Sequence, residues 1–263
     1  MVTVLGIPFD ANSSFLRGGA QAPARIRLME TEGSANLFSE LGSEIKSGVA
    51  YQDKGDLVFE TTGAVKGFSI IKDAIAKELK ATTKILSLGG DHSISYPIID
   101  AFTEKYENLN VLHMDAHGDL YNNFDNNPYS HASPFARLME KGKVGSLTQV
   151  GIRCSTTHLR EQAKKFNVKV VEMKDFNVDF IQHLKGPLYI SLDIDSLDPA
   201  FAPGVSHHEP GGLSTRQLIE IIHQIKVPIV GADIVEYNPV RDIHNMTAMV
   251  CYKLMKELIH QMN

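Results

Sequence analysis

The chain has only two cysteines in 263 residues, Cys154 and Cys251, far apart and without CxxC spacing. That excludes a disulfide framework, suits a reducing compartment and leaves buried thiols as the expectation for both. Excess positive charge is also missing. Charged residues make up 22% of the chain and the formal net charge is −5, so there is no basic stripe for a nucleic acid backbone. The small acidic balance leans toward a cationic partner. Long apolar runs are absent: none approaches the roughly 18–20 residues of a membrane span, and no membrane association is expected. The N-terminus shows no signal or transit pattern, because Met1-Val-Thr-Val-Leu-Gly6 runs straight into a strand. The expected location is therefore cytoplasmic. Neither GxGxxG nor a P-loop occurs, which removes the usual dinucleotide and nucleotide sites, and no internal repeat or low-complexity segment is visible.

What is present is a regular alternation. Apolar strand-like runs fall at Val2–Ile7, Lys84–Leu88, Asn110–Met114, Leu147–Val150, Val168–Val171, Leu188–Asp193 and Ile229–Ile234. Between them lie stretches of helical period. Glu60–Leu79 carries Val65, Phe68, Ile71, Ile75 and Leu79 on one face. Further helices are expected at Ala24–Met29, Tyr96–Phe102, Pro134–Glu140, His158–Phe166, Phe176–Leu184, Thr215–Ile225 and Met246–Gln261. Strands alternating with helices predict a mostly parallel sheet of about eight strands covered on both faces, an α/β three-layer αβα fold. With no break in composition, residues 1–263 are expected to form a single catalytic domain. The long segment from Gly118 to Ser130, rich in Asn and Asp, has the character of a binding loop.

Three of the strand-like runs end in residues that bind metals. Leu112-His-Met-Asp115-Ala-His117-Gly-Asp119 places two carboxylates and an imidazole two residues apart, a spacing that keeps side chains on one face if extended geometry continues. Gly89-Gly90-Asp91-His92-Ser93 follows the second run, and Asp193-Ile194-Asp195 closes a third. Sites in open parallel sheets lie outside the carboxyl ends of the strands, so His92, Asp115, His117, Asp119, Asp193 and Asp195 should meet at one edge. Four carboxylates and two imidazoles exceed what one zinc, usually four-coordinate, requires. They suit two oxygen-preferring divalent ions that share carboxylates.

These three motifs resemble, in the same order, the metal signatures of the ureohydrolases, the family of arginase, agmatinase and their relatives. The resemblance extends through Gly6-Ile-Pro-Phe-Asp10, Tyr129-Ser-His131-Ala-Ser-Pro, Gln149-Val-Gly-Ile-Arg153, Phe201 to Ser214, Gly231-Ala-Asp-Ile-Val-Glu236 and Met246-Thr-Ala-Met249. The middle and C-terminal strings are closest in pattern to plant-type arginases. The resemblance implies an arginase-like fold and two manganese ions. One would be held by His92, Asp115, Asp119 and Asp193, and the other by Asp115, His117, Asp193 and Asp195, with Asp115 and Asp193 as bridges. Asp119 would orient the attacking water, Glu236 would bind the substrate guanidinium, and His131 would carry a proton to the leaving amine. His207 would form part of the substrate pocket wall. Asp233 is expected behind the ligands or Glu236, and His113 in the core or behind the ligands. A trimer or hexamer is also implied.

The expected reaction is hydrolysis of a small cationic guanidino compound to urea and an amine, with L-arginine first and agmatine next. A formiminoglutamase-like activity on another guanidino acid comes third. The loop from Asp119 to His131 lacks the Asn/Ser pattern with which animal arginases hold the substrate α-carboxylate, and this leaves arginine and agmatine both in play. A different class, the single-zinc deacylase of histone-deacetylase type, shares the fold but does not need His92 and Asp195 as a second metal site. A non-catalytic binding role finds no support in a chain that keeps all six ligands, His131 and Glu236.

Overall fold

The computed structural model describes residues 1–60, 63–81 and 84–263. Eight parallel strands form one sheet: β1 (Val2–Gly6), β2 (Tyr51–Asp56), β3 (Ile85–Leu88), β4 (Leu109–Met114), β5 (Val144–Ile152), β6 (Lys169–Glu172), β7 (Leu188–Asp193) and β8 (Ile229–Val235). Their order is β2-β1-β3-β8-β7-β4-β5-β6, and every pairing is parallel. Among the described residues, seven α-helices cover the sheet: α1 (Ala22–Thr31), α2 (Ala64–Ala81), α3 (Ser95–Lys105), α4 (Pro134–Glu140), α5 (Thr157–Lys165), α6 (Thr215–Gln224) and α7 (Met246–Met262). None of the described helices is long and apolar enough to cross a membrane.

Strand alternation sorts side chains onto the two faces. In β7, Leu188, Ile190 and Leu192 join the core under α1, α6 and α7 with Ile26, Leu218, Ile222 and Leu258. Tyr189 points the other way, into the core beneath α2, α3, α4 and α5 with Ile75, Phe102, Phe135 and Leu159. Two apolar layers thus sandwich strands that are buried on both faces, which is why the central strands read as continuous apolar runs.

Two expectations differ from the structure. The strand β2 was not expected, because Tyr-Gln-Asp-Lys-Gly-Asp has no apolar alternation. It lies at the sheet edge, pairs only with β1 among the described strands, and needs just Tyr51 for the core. Arg27 of α1 ties it down through Asp53 at 2.7 Å, a structural role. Phe176–Leu184, expected as a helix, holds only a five-residue 3-10 turn at Asp179–His183. Its apolar residues anchor a connection and do not build a helical face. The expected helix beginning at Glu60 includes Thr61 and Thr62, which lie outside the described residues, and α2 is described from Ala64.

The end of β3 sets the scale of the site. A Cβ on Gly90 would stand 2.0 Å from the carbonyl oxygen of Phe9. The absence of a side chain lets the loop after β1 come close enough for main-chain hydrogen bonds: Asp91 N meets Phe9 O at 3.1 Å, and Glu236 N meets Gly90 O at 2.9 Å. Gly90 thereby draws the ends of β1, β3 and β8 together. Gly90→Ala should cost about 2–3 kcal/mol through overpacking, measured by urea denaturation, and should displace His92 with it.

Candidate metal centre and pocket

Each ligand candidate sits at or just past the carboxyl end of a strand. Asp193 is the last residue of β7 and Asp195 lies in the 3-10 turn Ile194–Ser196 that follows. His92 opens a 3-10 turn shortly beyond β3. The strand β4 ends at Met114, so Asp115, His117 and Asp119 are not placed by strand alternation as the spacing suggested. The loop places them. The amide of His117 donates to Asp115 Oδ1 at 2.6 Å and the amide of Ala116 to Asp195 Oδ1 at 3.1 Å. Asp119 turns into the left-handed region with φ of 47°, and Glu236 does the same after β8 with φ of 63°. Such backbone is unfavourable for residues with a Cβ and gathers at functional sites.

All six ligand candidates converge. His92 Nδ1 lies 3.1 Å from an oxygen of each of Asp115, Asp119 and Asp193. His117 Nδ1 lies 3.3 Å from Asp115 Oδ1 and 3.0 Å from Asp195 Oδ2. Asp115 therefore turns one oxygen to each histidine. Asp193 turns Oδ2 to His92, while its Oδ1 accepts the Asp195 amide at 2.7 Å.

The donor set fits divalent cations on three grounds. First, His92 Nδ1 is fully buried and has no hydrogen-bond partner among the described residues, although three carboxylate oxygens surround it. Second, spacings near 3.1 Å are the ligand-to-ligand edge of an octahedron with bonds of about 2.2 Å, as for oxygen-bound divalent ions. Third, the charges demand compensation. Burial, followed by the charges of Asp195 and Asp115, holds Asp193 well above the usual carboxylate range, and burial with Asp115 pushes Asp195 up to about 6. A cation removes that penalty. His92 and His117 are both pushed upward by the facing carboxylates, against the effect of burial, so a metal must displace protons to bind them.

A layer of partners behind the ligands fixes their aim. His92 Nε2 lies 3.0 Å from Ser191 Oγ, which donates to Asp233 Oδ1 at 2.8 Å; Asp233 also accepts from Tyr189 at 2.8 Å. This chain puts the His92 proton on Nε2 and frees Nδ1 for a metal. Asp233 thus stands behind His92, one of the two places expected for it. His113 lies close to the ligand atoms, yet both its nitrogens are engaged. Gln149 Nε2 donates to Nδ1 at 3.0 Å, and Nε2 meets Asp115 Oδ2 at 2.7 Å. Its ring stacks on Phe135 at 3.9 Å. His113 is therefore an outer support for Asp115. Arg153 binds the carbonyls of Asp195, Leu197 and Glu209 at 2.7, 3.2 and 2.6 Å, holding the loop after β7 against the site.

A cavity of about 180 Å³ opens onto the ligands. Asp119, Asp193, Asp195 and His117 form its floor, Glu236 and His131 one side, and Tyr121, Phe124 and Leu159 an apolar wall. Tyr121 and Phe124 come from the long loop after β4, as expected for a binding segment. His131 Nδ1 donates to Glu236 Oε1 at 2.7 Å, and the same oxygen accepts the His92 amide at 2.8 Å. Burial works against a charged His131, but Glu236 outweighs it and the ring is pushed up to about 9. His207 lines the cavity, with its ring 5.3 Å from that of His131 and 6.0 Å from that of His117. Burial and the neighbouring His131 lower its pKa and favour the neutral ring. Its neighbour His208 is directed away, to Pro203 O at 2.7 Å.

Sequence reasoning gave no site role to Ser14, Gln149, Ser191 and Cys154. Ser191 and Gln149 carried a signal, since each is a polar residue within a buried strand. Ser14 and Cys154, both lining the cavity, come from loops with no regular period.

The profile described as Arginase family matches residues 1–260. The chain is 45% identical to arginase 1, mitochondrial, of Arabidopsis thaliana, over 97% of this chain and 79% of that protein. It is 33% identical to the agmatinase of Bacillus anthracis, over 98% of this chain and 90% of that protein. Among solved structures, the arginase from Medicago truncatula superposes with a TM-score of 0.92 at 41% identity, covering 99% of this chain and 87% of that one.

Metal-free protein titrated by calorimetry should take up two divalent ions and release protons, so apparent affinity falls as pH drops. Asp115→Ala removes the one carboxylate present in both histidine groups and should leave a stoichiometry of one or less. Retention of two tight sites by that variant would contradict the shared arrangement.

Proposed function

The chain belongs to the arginase family, and from that premise we propose that it hydrolyses L-arginine to L-ornithine and urea with two manganese ions. The observation that carries the proposal is the junction of two features in one cavity: four of the ligand candidates, His117, Asp119, Asp193 and Asp195, on the floor with His92 and Asp115 packed against them, and the His131–Glu236 pair on the side. The choice of manganese rests on the donor set, in which four carboxylates and two imidazoles face one another. His92, Asp119 and Asp193 would hold one ion, His117 and Asp195 the other, and Asp115 both; a second bridge through Asp193 follows from the family resemblance.

When bound, the ions supply Lewis acidity that makes water a competent nucleophile near neutral pH. The rest falls to the side chains. Among the described residues, both hydrogen bonds to Glu236 fall on Oε1. Oε2 is left to take a guanidinium N–H, and the carboxylate charge complements the cation. One oxygen of Asp119 faces His92 while the residue lines the cavity; there it can orient the attacking water by accepting its proton in a hydrogen bond. His131, with Nδ1 committed to Glu236, presents Nε2 as the nitrogen that gives a proton to the departing amine. His207 and the apolar wall then enclose the aliphatic chain of the substrate.

One observation favours a second substrate. None of the described residues lining the cavity is Lys or Arg, so neither is in place for the α-carboxylate that distinguishes arginine from agmatine. Urea release from manganese-loaded protein, compared for L-arginine and agmatine, tests both. The expected result is a higher kcat/KM for arginine; a ratio that favours agmatine assigns the enzyme to agmatine hydrolysis. His131→Asn should lower kcat by about 10²–10⁴-fold, with both metals retained.

A further inference from the structure

Ser14 has no place in the scheme above, yet its hydroxyl is 2.8 Å from His131 Nε2. It follows β1 on a loop that is strapped to the site at several points. The amide of Asn12 donates to Asp91 Oδ2 at 2.9 Å, and the Asn12 side chain donates to Ser93 Oγ at 3.0 Å. The main chain of His131 donates to Asn12 O at 3.2 Å. Asp91 is buried and Ser14 is exposed, so one short segment runs from beside His92 to the solvent side of His131. His131 itself is only 8% exposed. Ser14 and Glu236 hold its two ring nitrogens, one from the solvent side and one from within.

We propose that Ser14 is a positioning residue for His131, completing a Ser14–His131–Glu236 chain that passes protons between bulk water and the cavity. The proposal rests on the assignment of His131 as the proton donor to the leaving amine. The carboxylate of Glu236 can only accept, so Nδ1 always carries a proton and only Nε2 changes state. A hydroxyl serves both states: it donates to the bare nitrogen and accepts from the protonated one. A fixed donor such as an amide N–H would oppose the protonated ring.

Overall, one water and one guanidinium give one urea and one ammonium. The proton lost by water equals the proton gained by the leaving nitrogen, but the two transfers occur at different moments. After Nε2 has given its proton away, the Ser14 hydroxyl passes its own proton to Nε2 while Oγ takes one from a solvent water, and the hydroxide left behind is neutralised by the proton that the attacking water released. Ser14 ends unchanged and the ring is charged again.

The test compares Ser14→Ala and Ser14→Thr in metal-loaded protein. Ser14→Ala should lower kcat about tenfold, less than loss of the acid itself, with KM and metal content unchanged. Ser14→Thr, which restores a hydroxyl, should recover most of that turnover. In metal-free ¹⁵N-histidine-labelled protein held above pH 9, where the His131 ring is neutral, Nε2 should move downfield in Ser14→Ala as its hydrogen-bond donor is lost, and return in Ser14→Thr. An unchanged kcat and an unchanged Nε2 resonance in Ser14→Ala overturn the proposal, as does a change confined to KM, which would make Ser14 a substrate contact. The underlying assignment fails separately: His131→Asn would then keep wild-type kcat whatever Ser14 does.

Discussion

Four carboxylates and two imidazoles are forced together where three parallel strands end, and much else in the molecule serves to hold them there. Left alone, such a group is repulsive. Asp193 and Asp195 resist ionisation because burial and their neighbours' charges oppose it, and His92 keeps a buried nitrogen with no hydrogen-bond partner among the described residues. A pair of cations resolves both problems at once. Stability and chemistry are therefore linked: the groups that make the apo site costly are the groups that make the ions bind.

The supporting shell explains why the sheet must be parallel and buried on both faces. Ser191 and Asp233 come from β7 and β8, which pair in register at those positions. His113 and Gln149 come from β4 and β5 and are likewise paired. A polar residue buried in a central strand is unfavourable unless it finds a partner, and these four find one on the neighbouring strand. The outcome is that the tautomer of His92 and the aim of Asp115 are fixed before metal or substrate arrives.

Much of this was legible in the sequence because it follows simple periods. Apolar runs of strand length, separated by helical patterns, specify a parallel sheet, and ligands at the ends of such runs specify one edge. The six ligand candidates, His131, Glu236 and His207 could all be named from motif strings; the structure clusters the six, and all of these residues but His92 and Asp115 line one cavity. What escaped has physical reasons. The strand β2 is an edge strand that needs one apolar residue, so its sequence carries no alternation. Asp119 and Glu236 owe their aim to left-handed backbone, which residue type does not announce. Ser14 reaches His131 across 117 positions, a contact created by the Gly90 crossing and by no local pattern.

Two ions would share Asp115. Electron paramagnetic resonance of protein loaded with two equivalents of manganese tests it most directly. A shared carboxylate brings the ions close enough for exchange coupling, so the account predicts the spectrum of a coupled pair. Two independent six-line spectra, or saturation at one ion, would contradict it.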